Sequence, residues 1–190
     1  MTRLIAGLLI FFGMHSVAIV APGFRNAARK RLGEGGWKGL YALVSLAGFV
    51  LIVQGFGSAR LSPVVLYVPP SWMRHVTFLF MLPVFPLLLA AYLPGRIQRA
   101  AKHPMLAAVK FWAFAHLLAN GTLADILLFG SFLAWAVVDR ISLKRRPPQA
   151  LRTASPGRFN DLIAVVLGLG LYGFFIGWLH LRLFGVSPLG

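Results

Sequence analysis

Residues 102–121 read KHPMLAAVKFWAFAHLLANG, and this stretch decides the fold because it is long enough to cross a bilayer yet carries several polar side chains. The polar residues of interest are His103, Lys110, His116 and Asn120. A charged side chain placed in the hydrocarbon of a membrane costs several kcal/mol unless it finds a partner or water. The sequence therefore predicts a membrane helix that also contributes to a functional site.

The composition of the whole chain also indicates a membrane protein. It is 58% hydrophobic, with a mean hydropathy of +0.78, whereas soluble domains are about half apolar. The formal net charge is +15, but the basic residues fall mainly in short connectors between apolar runs. That placement is typical of membrane topology and contact with anionic lipid rather than of nucleic-acid binding. Because there is no cysteine, disulfides, thiolate catalysis and Cys-ligated zinc are excluded.

Six apolar runs approach the roughly 20 residues that a membrane helix needs. They are Leu4–Ala21, Leu40–Phe56, Met73–Leu93, Pro104–Asn120, Leu123–Val138 and Leu162–Phe184. We predict an all-α fold, a polytopic membrane helical bundle of about six transmembrane helices that forms a single domain over residues 1–190. Pro83 and Pro86 should kink the third span, and the GxxxG pattern of Gly173 and Gly177 should allow the sixth to pack closely.

The distribution of Lys and Arg predicts the orientation of these spans. The connectors after the first, third and fifth spans hold fourteen of the nineteen basic residues. Since cytoplasmic loops carry an excess of Lys and Arg, these three connectors are expected to face the cytoplasm and both termini to face outward.

Two histidines are the strongest candidates for a site inside the bundle. From the helical rise, His15 should lie about 17 Å from the outer end of the first span and His116 about 8 Å from the outer end of the fourth. The two could flank a cofactor between these spans, and a haem iron takes axial imidazoles from two sides. The alternative for each is an interhelical hydrogen bond.

The other polar residues of the opening stretch have less specific signals. Asn120 shares a helix face with His116 and could orient its imidazole or end the helix. His103 is expected to cap a helix or to contact solvent at the headgroups. Lys110 could extend its stem toward cytoplasmic water or pair with Asp161, which could instead cap the last span.

Three segments carry a resemblance to a known family. They are FFGMHS (Phe11–Ser16), GEGGWKGLYALVSLAGF (Gly33–Phe49) and HPMLAAVKFWAFAHLLANGTLADILLFGSFLAWAVVDRIS (His103–Ser142). Over nearly its whole length the chain resembles the NnrU family, bacterial membrane proteins associated with denitrification and nitric-oxide metabolism. The same domain is similar to 15-cis-zeta-carotene isomerase, a membrane enzyme that uses histidine-ligated haem b.

The resemblance implies a haem site. An AHS element of the isomerases is matched here around His15, and a LAH element is matched around His116. These two residues are the implied ligands of haem b, with Asn120 next to the second. The isomerases carry a cysteine three residues before the second histidine, where this chain has Ala113, so a switch to sulfur ligation is not available. The implied activities are haem-dependent cis–trans isomerisation or a redox response to nitric oxide.

Two other functions are compatible with the sequence. No complete catalytic constellation is visible, which favours a non-enzymatic accessory protein for the assembly or expression of a denitrification complex. Lys110 and the kinked third span suggest a carrier for a hydrophobic small molecule. We expect the protein to lie in the bacterial inner membrane with both termini in the periplasm. Its expected partners are the lipid bilayer and either a hydrophobic small molecule or another membrane protein. Binding of nucleic acid is not expected.

Overall fold

The computed structural model describes residues 1–146 and 153–190, and these residues are built from α-helices. The helices are α1 (Thr2–Val20), α2 (Pro22–Ala59), α3 (Met73–Met81), α4 (Val84–Ala90), α5 (Arg96–Ala101), α6 (Pro104–Ala119), α7 (Leu123–Ser142), α8 (Asn160–Phe174) and α9 (His180–Phe184). A π-helical turn, Phe175–Leu179, joins α8 to α9. Within the two described ranges the only β pairing is an isolated bridge between Val65 and Thr122, so the all-α prediction is confirmed.

Four stretches of this fold are long and apolar enough to cross a membrane by length and composition. They are Thr2–Val20, Pro22–Ala59, Met73–Ala90 and Asn160–Phe184, and they overlap the first, second, third and sixth predicted spans. The fourth span lies in α6, whose 16 residues extend about 24 Å, less than the roughly 30 Å of a hydrocarbon core. The fifth lies in α7, which has 20 residues. The chain is therefore a multi-pass helical protein.

Two details of the predicted spans can be compared with the structure. The third span is broken between α3 and α4 at Pro83, as expected for a residue that lacks a backbone N–H. The basic connector after the first span, by contrast, is helical, since its residues form the first part of α2. Pro22 does not prevent this, because it occupies the first turn of α2, where proline is well tolerated. Gly33 interrupts this long helix with φ 71° and ψ 170°, a conformation that glycine adopts readily.

The contacts of the chain define two compact units. The first unit comprises Met1–Tyr67 and Gly121–Ser131, and the second comprises the described residues of Val68–Asn120 and Phe132–Gly190. In the first unit α1 packs along α2, and in the second α4 packs on α8 and α6 while α3 packs on α6. The prediction of a single domain stays a prediction.

Small residues form much of the interior, and large apolar residues face outward. Alanines at positions 90, 91, 108, 113, 115, 136 and 164 are at most 1% exposed. Leu9 and Val20, in contrast, are 70% and 76% exposed. Helices in lipid associate by close backbone packing of small residues, because exposed apolar side chains carry no penalty there. This distribution indicates a lipid environment.

The close packing of the last span is made by Gly168 rather than by the GxxxG pair. A Cβ atom at Gly168 would lie 2.5 Å from the backbone nitrogen of Pro86 in α4. A Cβ atom at Gly173 or Gly177 would meet no described atom within 4 Å. The prediction for the GxxxG pair is wrong for the described residues: Gly173 lies about 140° around α8 from Gly168, and Gly177 lies in the π-helical turn that follows α8.

Gly168→Ala is expected to destabilise the protein by about 1–3 kcal/mol, since the added methyl group must displace the backbone of α4. Gly170→Ala is the matched control because its Cβ would enter open space among the described residues. Thermal unfolding in detergent, followed by circular dichroism, should show a lower midpoint for the first variant only. Equal midpoints for the two variants would contradict the packing of α8 on α4.

Candidate functional site

His15 lies in the first unit, five residues before the end of α1, and is half-buried. Its Nδ1 lies 2.8 Å from the main-chain oxygen of Phe11, one helical turn earlier. Because a carbonyl oxygen can only accept a hydrogen bond, this Nδ1 carries the proton. In the neutral imidazole the basic lone pair is then on Nε2.

Aromatic rings surround the His15 imidazole within the first unit. The Phe11 ring stacks on it, with centroids 4.0 Å apart and planes inclined by 23°. The Tyr41 ring, from α2, lies 5.2 Å away and is inclined by 56°. Together with the hydrogen bond to the Phe11 carbonyl, these contacts limit rotation of the imidazole.

His116 lies in the second unit and repeats the same local arrangement. Its Nδ1 is 2.8 Å from the main-chain oxygen of Trp112, again four residues earlier. The Trp112 ring lies 5.3 Å from the imidazole, and Phe132 of α7 packs edge-on against Trp112 at 5.3 Å. His116 is three residues from the end of α6, about 5 Å along the axis, and therefore nearer the helix end than predicted.

Asn120 is brought next to His116, but it binds the main chain. Its side-chain amide donates to the His116 carbonyl oxygen at 2.8 Å, and its backbone N–H donates to the same oxygen at 3.0 Å. These two hydrogen bonds support the predicted role of Asn120 in ending the helix. The predicted role of Asn120 in orienting the imidazole stays a prediction.

A sequence signal for these arrangements exists but is easily missed. Phe11 stands four residues before His15, and Trp112 stands four residues before His116, so each aromatic ring shares a helix face with its histidine. The equivalent positions before His75 and His180 hold a serine and an isoleucine. Tyr41 of α2 could not be found in this way, because its contact with His15 crosses from one helix to another.

The other histidines have different surroundings. His103 occupies the N-cap position of α6 but makes no side-chain cap hydrogen bond, so its predicted capping role is wrong. Burial, and then the nearby Arg140 guanidinium, lower the pKa of His103, which favours its neutral form. His180 Nδ1 lies 2.7 Å from the Val186 carbonyl oxygen in an exposed contact, and His75 is exposed.

The predicted pair of Lys110 and Asp161 is not formed. The Asp161 carboxylate instead accepts hydrogen bonds from the backbone N–H groups of Arg96 and Ile97, at 2.8 and 3.0 Å, at the start of α5. A carboxylate is favoured there because a helix N-terminus carries partial positive charge. The alternative, a cap on its own helix, is also wrong, since Phe159 is the N-cap residue of α8 and Asp161 caps α5 instead. Gly95 permits the approach, because a Cβ there would lie 2.7 Å from the Asp161 carboxyl carbon.

His15 and His116 have the donor chemistry that a haem requires. Within residues 1–146 and 153–190 no three His, Asp or Glu side chains gather into a metal-binding group. A haem iron needs only one or two protein ligands, because the porphyrin supplies the equatorial nitrogens. Metal-ligating histidines almost always donate their other ring N–H to a carboxylate or carbonyl, and His15 and His116 both do so.

The fold and these polar residues define the class: a multi-pass helical membrane protein with histidines set in apolar helices. A family model described as NnrU protein matches residues 3–188. The chain therefore belongs to the NnrU family, which confirms the resemblance to that family. No curated protein and no solved structure matches the chain.

Proposed function

We propose that this NnrU-family membrane protein binds haem b and that His15 and His116 would hold its iron. The observation that carries the proposal is the shared geometry of the two rings, each with Nδ1 held by the carbonyl four residues earlier at 2.8 Å. The hydrogen bond fixes the tautomer and makes Nε2 more basic. Nε2 is then the nitrogen suited to coordinate iron.

The surroundings of each histidine support the same role. Phe11 and Tyr41 contact the first imidazole, and Trp112 contacts the second. Such aromatic walls suit a flat, apolar macrocycle, and the hydrophobicity around a metal site also tunes the redox potential of an iron. Ala113, where the isomerases have cysteine, is fully buried and offers no donor atom, so the ligand set rests on histidine alone.

The bound haem would supply a redox-active iron that can also take a small ligand such as nitric oxide. This chemistry suits the role in denitrification and nitric-oxide metabolism that the family resemblance implies, as an isomerase-like or a redox protein. The protein would act in the bacterial inner membrane with both termini periplasmic. That orientation is supported by the concentration of Lys and Arg in the connectors after the first, third and fifth spans.

The test is the absorption spectrum of the protein purified in mild detergent from cells supplied with a haem precursor. We expect a Soret band, a pyridine haemochrome of the b type and about one haem per chain, because the two histidines would hold a single iron. A monodisperse, helical protein without a Soret band would overturn the proposal. If that protein also co-purified with another membrane protein, the accessory role would be favoured.

A further inference from the structure

The second unit has an open groove beside Lys110. Its volume is about 310 Å³, and it is lined by Phe80, Ala107, Lys110, Phe111, Phe114 and Leu133. The ring of Phe80 lies 5.1 Å from that of Phe114 and 6.1 Å from that of Phe111. The groove therefore has apolar walls and one side chain with a positive charge.

No carboxylate of the chain is available to neutralise Lys110. The sequence contains only four acidic side chains, and all of them are engaged elsewhere. Glu34 forms ion pairs with Arg29 and Lys38, and Asp139 forms one with Arg146. The Asp125 carboxylate accepts hydrogen bonds from the Thr122 backbone N–H at 3.0 Å and from the Thr122 hydroxyl at 2.5 Å. The Asp161 carboxylate accepts hydrogen bonds from backbone N–H groups at the start of α5. Lys110 forms no ion pair within the part of the chain that the structure describes.

The position of Lys110 limits the kind of anion that can reach it. Lys110 is half-buried and stands six residues after Pro104, about 9 Å along α6 from the helix start. A lysine stem of four carbons can carry its ammonium most of the way back to the membrane interface. An anion at that depth, next to phenylalanine walls, is the head of an amphiphile rather than a freely dissolved ion.

We propose that this groove binds an anionic phospholipid, with the phosphate paired to Lys110 and an acyl chain lying on Phe80, Phe111 and Phe114. The phosphate of such a lipid lies at the interface that the Lys110 ammonium reaches. The net charge of +15 raises the local concentration of acidic lipids around the protein. The site uses none of the haem-ligand candidates, so it stands independently of the proposed function.

The test measures the phospholipid that remains bound to the protein after purification in mild detergent. Lipid extraction and mass spectrometry should show acidic phospholipid enriched over zwitterionic phospholipid in the wild type. In Lys110→Met the acidic fraction should fall about fivefold, equivalent to about 1 kcal/mol for one basic residue at an anionic surface. Lys110→Arg should retain the lipid, since the charge is kept.

The matched control is Lys144→Met, which removes the same charge from an exposed position two residues after the end of α7. It should leave the retained lipid unchanged. An equal loss in both Met variants would show attraction by overall charge and would overturn the site. So would unchanged retention in Lys110→Met. The wild type could instead retain a fatty acid that Lys110→Met does not retain. That result would show that the occupant of the groove is not a phospholipid.

Added lipid gives a second readout that does not depend on what survives purification. Phosphatidylglycerol in mixed micelles should raise the thermal midpoint of the wild type, whereas phosphatidylcholine should not. The rise should disappear in Lys110→Met and should weaken in Phe114→Ala, because Phe114 forms part of the wall. Equal stabilisation by both lipids would contradict the proposal.

Discussion

Replacing His15 or His116 by alanine is expected to abolish the spectrum of a haem held by two imidazoles. Each residue presents the same tautomer, fixed by a carbonyl 2.8 Å from Nδ1. Loss of one imidazole leaves a single protein ligand, so the iron should change from low spin to high spin or the haem should be lost during purification. Absorption and electron paramagnetic resonance spectra of the purified variants distinguish these results from the wild-type state.

His180→Ala is the control for this experiment. His180 has its Nδ1 bound to a carbonyl in the same way, at 2.7 Å, but the contact is exposed and involves Val186, beyond the end of its own helix. Its replacement should leave the spectrum unchanged. A second control restores the missing ligand, because imidazole added to His116→Gly should recover the low-spin spectrum. A wild-type spectrum in His15→Ala or in His116→Ala would remove that residue from the ligand set.

Gly55→Val is expected to prevent the first unit from folding. A Cβ atom at Gly55 would lie 2.6 Å from the Cα of Leu4 and even closer to its backbone nitrogen. Backbone atoms of a helix cannot move aside as a side chain can, so the cost should exceed the 1–3 kcal/mol that is typical of overpacking. Since natural proteins are stable by only about 5–15 kcal/mol, much of the stability would be lost.

Gly57→Val tests whether this effect belongs to the contact between the helices. Gly57 lies on the same helix two residues later, and its Cβ would meet no described atom within 4 Å. Size-exclusion chromatography and thermal unfolding in detergent should show aggregation or a much lower midpoint for Gly55→Val only. Gly55→Val should also lower haem retention, because α1 carries His15. Similar behaviour of the two valine variants would contradict the close packing of α1 on α2.

The membrane helices could be predicted because apolar length alone specifies a span. The partners of individual residues could not be predicted in that way. The GxxxG spacing identified Gly173 and Gly177, but it gives no information about which helix face meets a neighbour, and Gly168 makes the contact instead. The carboxylate of Asp161 binds backbone groups more than sixty residues earlier, a pairing that local sequence does not contain.

In the candidate site, too, contacts within one helix can be predicted from the sequence, whereas contacts between helices cannot. The hydrogen bonds of His15 and His116 run to carbonyls four residues earlier, so helix geometry alone allows them to be anticipated. The contact of Tyr41 with His15 depends on how α2 packs on α1 and follows only from the folded chain. The cost of Lys110 in an apolar span follows from the sequence, whereas its lack of an acidic partner depends on where the four carboxylates lie in the folded chain.

The pairing of α1 with α2 has a consequence for the order in which the protein is made. Only Ala21 separates the two helices, and their contact relies on Gly7, Gly48 and Gly55, all near the N-terminus. Gly55 meets Leu4 and Gly48 meets Phe11, so every residue that makes this contact belongs to α1 or α2, which end at Ala59. Because N-terminal elements fold first during synthesis, this helical hairpin can assemble in the bilayer while the ribosome is still translating the remaining spans.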